Sequence, residues 1–177
     1  IIGVVLLLVV WFMGSYNSLV TLNQKTDTQW AQVENQFQRR FDLVPNLVNT
    51  VKGVMQQEQA VFTAIADART RYAGAQTVNE KVQGANQLDS ALSRLLVITE
   101  NYPQLKSSET AQSLIAELAG TENRISVERS RFNDVVQTYN LKVKRFPGTL
   151  LASMFGFSER PYFQSQTGAE NAPQVNF

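Results

Sequence analysis

Apolar residues crowd the start of the chain and then settle into a seven-residue rhythm. The first thirteen residues, IIGVVLLLVVWFM, are almost wholly apolar, and no charge occurs between Ile1 and Gln24. As helix, the stretch to Leu22 spans roughly 33 Å at 1.5 Å per residue, enough for a hydrocarbon core of about 30 Å. The pattern predicts a transmembrane helix over residues 1–22, with Trp11, Phe12 and Tyr16 as interfacial aromatics. A cleaved signal peptide is the competing reading. No small-x-small cleavage site follows the apolar run, which favours a retained anchor. Lys25, Arg39 and Arg40 follow the span and would draw the domain towards the cytoplasm, but long domains translocate largely regardless of charge.

From Trp30 one seam reads Trp30, Phe37, Val44, Val51, Glu58, Ile65, and its companion Val33, Arg40, Leu47, Val54, Val61, Ala68. The register does not slip at Pro45. The pattern therefore predicts one long helix, kinked at the proline, from the membrane to about Tyr72, where Ala73-Gly74 stops it. A true break at Pro45, giving four helices in place of three, is the alternative. Thr77 and Glu80 form a T-x-x-E capping box, so a second helix starts near Val78. Its seams are Ala85, Leu92, Thr99 and Leu88, Leu95, Tyr102, and Pro103 ends it. Ser107 or Ser108 caps a third helix. That helix carries Leu118, Ile125, Phe132, Tyr139 and Phe146 on one seam and Thr121, Glu128, Val135 and Lys142 on the other. Lys142, Lys144 and Arg145 complement its dipole, and Pro147-Gly148 stops it.

The chain thus reads as all-α: an N-terminal transmembrane helix continuing into an antiparallel bundle of three to four long helices over residues 23–146. Residues 147–163 open with the apolar run GTLLASMFGF, too short to span a bilayer. This segment is expected to plug the end of the bundle, the alternative being that it lies in the membrane interface. Residues 164–177 form a polar tail, loose unless something such as a neighbouring subunit holds it. The three helices differ in length, at roughly 70, 36 and 60 Å beyond the membrane. Apolar seam left uncovered by that mismatch is a reason to expect self-association.

Composition narrows the chemistry. The 177 residues suffice for one domain plus a membrane segment, and a net charge of +1 does not suggest a nucleic-acid partner. With no cysteine, disulfides and thiolate metal sites are excluded; with no histidine, the commonest catalytic base and metal ligand is missing. G-x-S-x-G, Walker and G-x-G-x-x-G motifs are absent, as are the Glu-x-x-His pairs of a di-iron bundle and a clustered acidic calcium loop. The expectation is a protein that is not an enzyme and holds no metal or cofactor.

The informative polar residues lie on the seams. Arg40 and Glu58 occupy seam positions on the first helix, Glu100 ends the second, and Glu122 and Arg129 flank the seam of the third. A charge facing a helical core must be paired, because leaving it alone costs several kcal/mol. We expect a structural ion network joining Arg40 to Glu100 or Glu122, and Glu58 to Arg129; otherwise these groups point sideways into solvent. Asp42, Pro45 and Asn46 mark a second feature. Pro45 removes a backbone donor and frees the carbonyl of Phe41, giving either a kink that follows bundle curvature or a hinge and docking notch.

Several ordered blocks resemble the LemA family of membrane proteins. They are YNSLVTL (16–22), RRFDLVPNLVNTVKG (39–53), Ala68-Arg69, ENYPQLK (100–106), ELAGTENRI (117–125), RSRFNDVVQTYN (129–140), Phe146-Pro147 and Tyr162-Phe163. The resemblance covers nearly the whole chain. At Gln56-Gln57-Glu58 the sequence departs from a family pattern that more often has histidine before the glutamate, so no metal or proton role of such a histidine applies here. The resemblance implies an N-terminal membrane helix and a helical domain outside the cytoplasm, that is, a single-pass protein of the bacterial inner membrane facing the periplasm. It supplies no chemistry. The functional expectation is a self-associating membrane scaffold, with an adaptor or sensor that docks another membrane protein as the rival; the partners expected are membrane lipid, further copies of the chain and other membrane proteins.

Overall fold

The computed structural model describes residues 2–163. They form α1 (Ile2–Lys52), α2 (Gln59–Gly74), α3 (Val78–Thr99), α4 (Pro103–Lys106), α5 (Glu109–Lys144) and α6 (Gly148–Phe155), with no strand among the described residues. These residues fall into two compact units, 36–124 and 2–35 with 125–163, and both α1 and α5 contribute to each. The expected tail lies outside the described residues.

In the 36–124 unit, α1 passes through Pro45 and ends at Lys52. The chain leaves the helix at residues 53–58 instead. This corrects both expectations, the unbroken helix to Tyr72 and the break at the proline. The cause is packing. Met55 is wholly buried, drawn out of the helical path, and the Val51 carbonyl accepts both the Val54 amide at 3.0 Å and the Met55 amide at 2.9 Å. α2 then folds back along α1, so that Tyr72 stacks on Phe41 at 4.1 Å between ring centroids and meets Phe37 edge-on at 5.8 Å. The heptad reads straight through the break because Val51 and Ile65, two heptads apart, are buried in different helices of one core. The fold-back has a consequence for assembly: α2 covers part of the seam that an unbroken helix would have left bare.

The Thr77 hydroxyl accepts from the Glu80 amide at 3.2 Å, while the Glu80 carboxylate takes the amides of Gln76 and Thr77 at 2.8 and 3.0 Å. Those backbone donors, Gln76 first, hold the Glu80 carboxyl below its ordinary range. α3 crosses α2 closely at Gly84, where a Cβ would lie 2.9 Å from the backbone N and Cα of Tyr72. Leu88, Leu92 and Leu95 fill the core beside it.

In the other unit Leu19 of α1, Tyr139 and Val143 of α5, and Leu151 and Ala152 of α6 form a buried cluster, with Phe12, Tyr16, Leu22 and Phe157 packed around it. Trp30 meets Phe132 edge-on at 5.6 Å. Phe146, expected on the α5 seam, is exposed, because the helix ends at Lys144, two residues before that position. Residues Ile2–Met13 of α1 stay largely exposed, and α1 is long and apolar enough over its start to cross a membrane.

Candidate functional site

Arg40 is 6 % exposed. Its Nη1 donates to the Asp89 carboxylate on α3 and the Glu122 carboxylate on α5, so one guanidinium ties three helices of the 36–124 unit. The two acids differ in burial: the Asp89 side chain is 14 % exposed and that of Glu122 42 %. Asp89 is therefore the principal counter-charge, since coupling weakens as solvent reaches the pair. Arg39, its neighbour, turns outward to Glu117 at 3.2 Å.

The remaining expected ion partners do not join this cluster. Glu100 caps the end of α3 in solvent, so it is not the Arg40 partner. Glu58 accepts a hydrogen bond from the Tyr102 hydroxyl at 3.2 Å, in place of an ion pair with Arg129. Partial burial first, and then the Glu58 carboxylate, push the Tyr102 hydroxyl above its ordinary value. Arg129 lies with its guanidinium 4.4 Å above the ring of Phe163. Seam position and charge singled these residues out, but not which face of a neighbouring helix each would meet.

Of the proline feature, Asp42 accepts from Gln38 at 3.0 Å on the surface. Pro45 is half-buried and Asn46 exposed. Asn46 lines an open cleft of about 690 Å³ with Asn49 and Thr50 of α1 and Glu109, Thr110, Ser113 and Leu114 of α5.

A second arrangement lies wholly in the other unit. After α6 the chain from Ser158 to Phe163 runs back along α5 as an irregular strap. The Asn140 amide brackets Arg160, donating to its carbonyl and accepting from its N–H, both at 2.9 Å. Asn133 does the same to Phe163, at 3.0 and 2.8 Å. The spacing explains the match: seven residues of helix rise about 10 Å, and three residues of extended chain cover the same distance. The Tyr139 hydroxyl donates to the Ser158 carbonyl at 3.0 Å, and Lys144 pairs with Glu159 at 2.8 Å. Arg160 donates to Asn23 and pairs with Asp27 on α1, both at 2.9 Å. Burial raises the Tyr139 hydroxyl above its ordinary value, and the Glu159 carboxylate raises Lys144.

Asparagine is a poor helix former, and two of them a heptad apart on an otherwise regular helix were the signal for this strap. Replacing Asn140 by alanine removes both clamps on Arg160 from a buried position. We expect about 2 kcal/mol of lost protection at the Arg160 amide, read by hydrogen exchange, with the 36–124 unit unchanged.

These helices and the buried arginine carry the blocks that pointed to a family. The profile of the LemA family matches residues 29–177. The chain belongs to the LemA family. Among relatives of this LemA-family chain are magnetosome proteins MamQ 1 and MamQ 2 of Paramagnetospirillum magneticum, each 26 % identical over 181 residues and covering 88 % of this chain. Magnetosome protein MamQ of Magnetospirillum gryphiswaldense is 25 % identical over 189 residues, covering 90 % of this chain and 70 % of its own. The chain spans 66 % of the length of the two Paramagnetospirillum proteins. The family match, together with the exposed apolar start of α1, supports a membrane-associated LemA-family protein.

Proposed function

We propose that this LemA-family chain is a non-enzymatic, single-pass membrane scaffold, anchored by α1 in the bacterial inner membrane with its helical domain on the periplasmic side, and that it self-associates. The observation that carries the reading is the run Ile2–Met13, whose apolar side chains are left largely to the surroundings. Exposed apolar surface of that extent on a helix fits lipid and neighbouring anchors better than water. The Arg40 cluster acts here as a fastener of helices. Most seam positions of the 36–124 unit are buried within it, which favours contact between copies through the anchors. Purified in mild detergent and sized by light scattering, the full chain is expected to form a homogeneous oligomer. A monomer at every detergent-to-protein ratio would remove the scaffold reading.

A second reading, an adaptor that docks another membrane protein, draws on the cleft beside Pro45. Its walls offer Asn46, Asn49, Ser113 and Glu109, groups suited to a polar segment of a partner. A photo-crosslinker at Asn49 that captures one partner reproducibly, while one at exposed Val97 does not, would favour it over self-association.

A further inference from the structure

The apolar surface of α1 does not end where its bare stretch ends. Exposed Trp11 meets Phe146, 76 % exposed, at 5.8 Å between ring centroids, and Tyr16 meets Phe155 at 4.7 Å and Phe157 at 6.0 Å. α6 therefore stands beside Phe12–Leu22, the later turns of the expected span, with Leu151 and Ala152 buried against Leu19. Eight residues are too few to cross a bilayer, yet α6 leaves Leu150, Met154 and Phe155 exposed.

The outward face of α6 is sorted. At 100° per residue Leu150 and Met154 adjoin each other on one edge, and Thr149 and Ser153, also exposed, adjoin each other on the opposite edge. A helix lying along a water–lipid boundary needs this division, whereas a helix standing free in water does not. The helix stops at Gly156, φ 76°, where the Phe157 amide returns to the Ala152 carbonyl at 3.1 Å. Just before Phe146, Lys144 is tied to Glu159, while Lys142 and Arg145 have no acidic partner among the described residues. Cations at this level suit headgroup phosphates.

We propose that Phe146 and the Leu150–Met154 edge of α6 lie in the headgroup–acyl boundary of the bilayer that takes α1. The occupant of this face is phospholipid. The chain then grips one leaflet at two points, a span and a flanking interfacial helix, and α6 sets the height and tilt of α1. This rests on the reading of α1 as a membrane anchor, and the test separates the two.

The chain has no cysteine, so single labels are available without other changes. Full-length Leu150→Cys, Met154→Cys, Ser153→Cys, Val5→Cys and Val97→Cys, each carrying a nitroxide, are reconstituted in nanodiscs of phosphatidylcholine and phosphatidylglycerol. Collision with oxygen, which concentrates in lipid, is compared with collision with a water-soluble nickel chelate. Oxygen is expected to dominate at positions 5, 150 and 154 and the nickel chelate at 153 and 97, an inversion across one short helix. Nickel dominance at 150 and 154 with position 5 still in lipid would overturn the interfacial placement and leave the anchor standing. Shielding of 150 and 154 from both reagents would mean a protein occupant and would equally overturn it. Nickel dominance at position 5 would remove the anchor and this proposal together.

Discussion

Arg40→Met is expected to lower the stability of the 36–124 unit by about 3 kcal/mol, because it takes the guanidinium away from the Asp89 carboxylate, whose side chain is only 14 % exposed. Methionine preserves most of the aliphatic volume, so the loss reports charge and not a cavity. The figure sits at the lower end for breaking a buried pair, since the Glu122 side chain is 42 % exposed and can recover water. Adding Asp89→Asn and Glu122→Gln to Arg40→Met should return most of the lost stability, as buried ion groups are often replaceable by neutral ones of similar size. Denaturant unfolding of the full chain in detergent, with hydrogen exchange over residues 36–124, measures both variants. Unchanged melting of Arg40→Met would show that the cluster contributes nothing to the fold.

Gly148→Ala is expected to be the more damaging single methyl group. A Cβ at this position would stand 1.8 Å from the carbonyl oxygen of Lys142, a backbone atom that no rotamer change can move aside. Overpacking of a core costs about 1–3 kcal/mol and occasionally more, and a backbone clash belongs at the top of that range. Since α6 is only eight residues long, the cheapest relief is for it to leave Leu19 and Tyr139. Hydrogen exchange should show residues 148–155 losing protection while α2 and α3 keep theirs. Gly156→Ala is the milder comparison, costing about 1–2 kcal/mol for a left-handed residue with no contact within 4 Å of the added carbon. Equal effects of the two substitutions would argue that the Lys142 contact is not what fixes α6.

Helix content, the Thr77 cap, the stop before Pro147 and the long apolar opening all follow from local chemistry. Each depends on neighbours within a few residues: a hydroxyl near an amide, a proline without one, a seven-residue spacing of greasy side chains. The misreading of residues 53–58 has the same origin. A heptad records which side chains face a core, and the faces stay in step when the chain turns back with a whole number of repeats. Only the burial of Met55 and the stacking of Tyr72 on Phe41 distinguish a hairpin from a continuous helix. The family blocks flagged Asn133 and Asn140 inside a longer run, but the extended segment they bracket carries no periodic signal.

What the amino-acid order determined by itself was the all-α class, most helix ends and the need of Arg40 for a counter-charge, since these rest on backbone hydrogen bonding and on the cost of an unpaired buried ion. The tertiary structure decided which carboxylate answers Arg40, where α1 yields to α2, how the strap is pinned to α5 and which edge of α6 faces outward. Those outcomes turn on how helices far apart in sequence rotate against one another, and rotation is set by close packing of the whole core, with no local pattern to announce it.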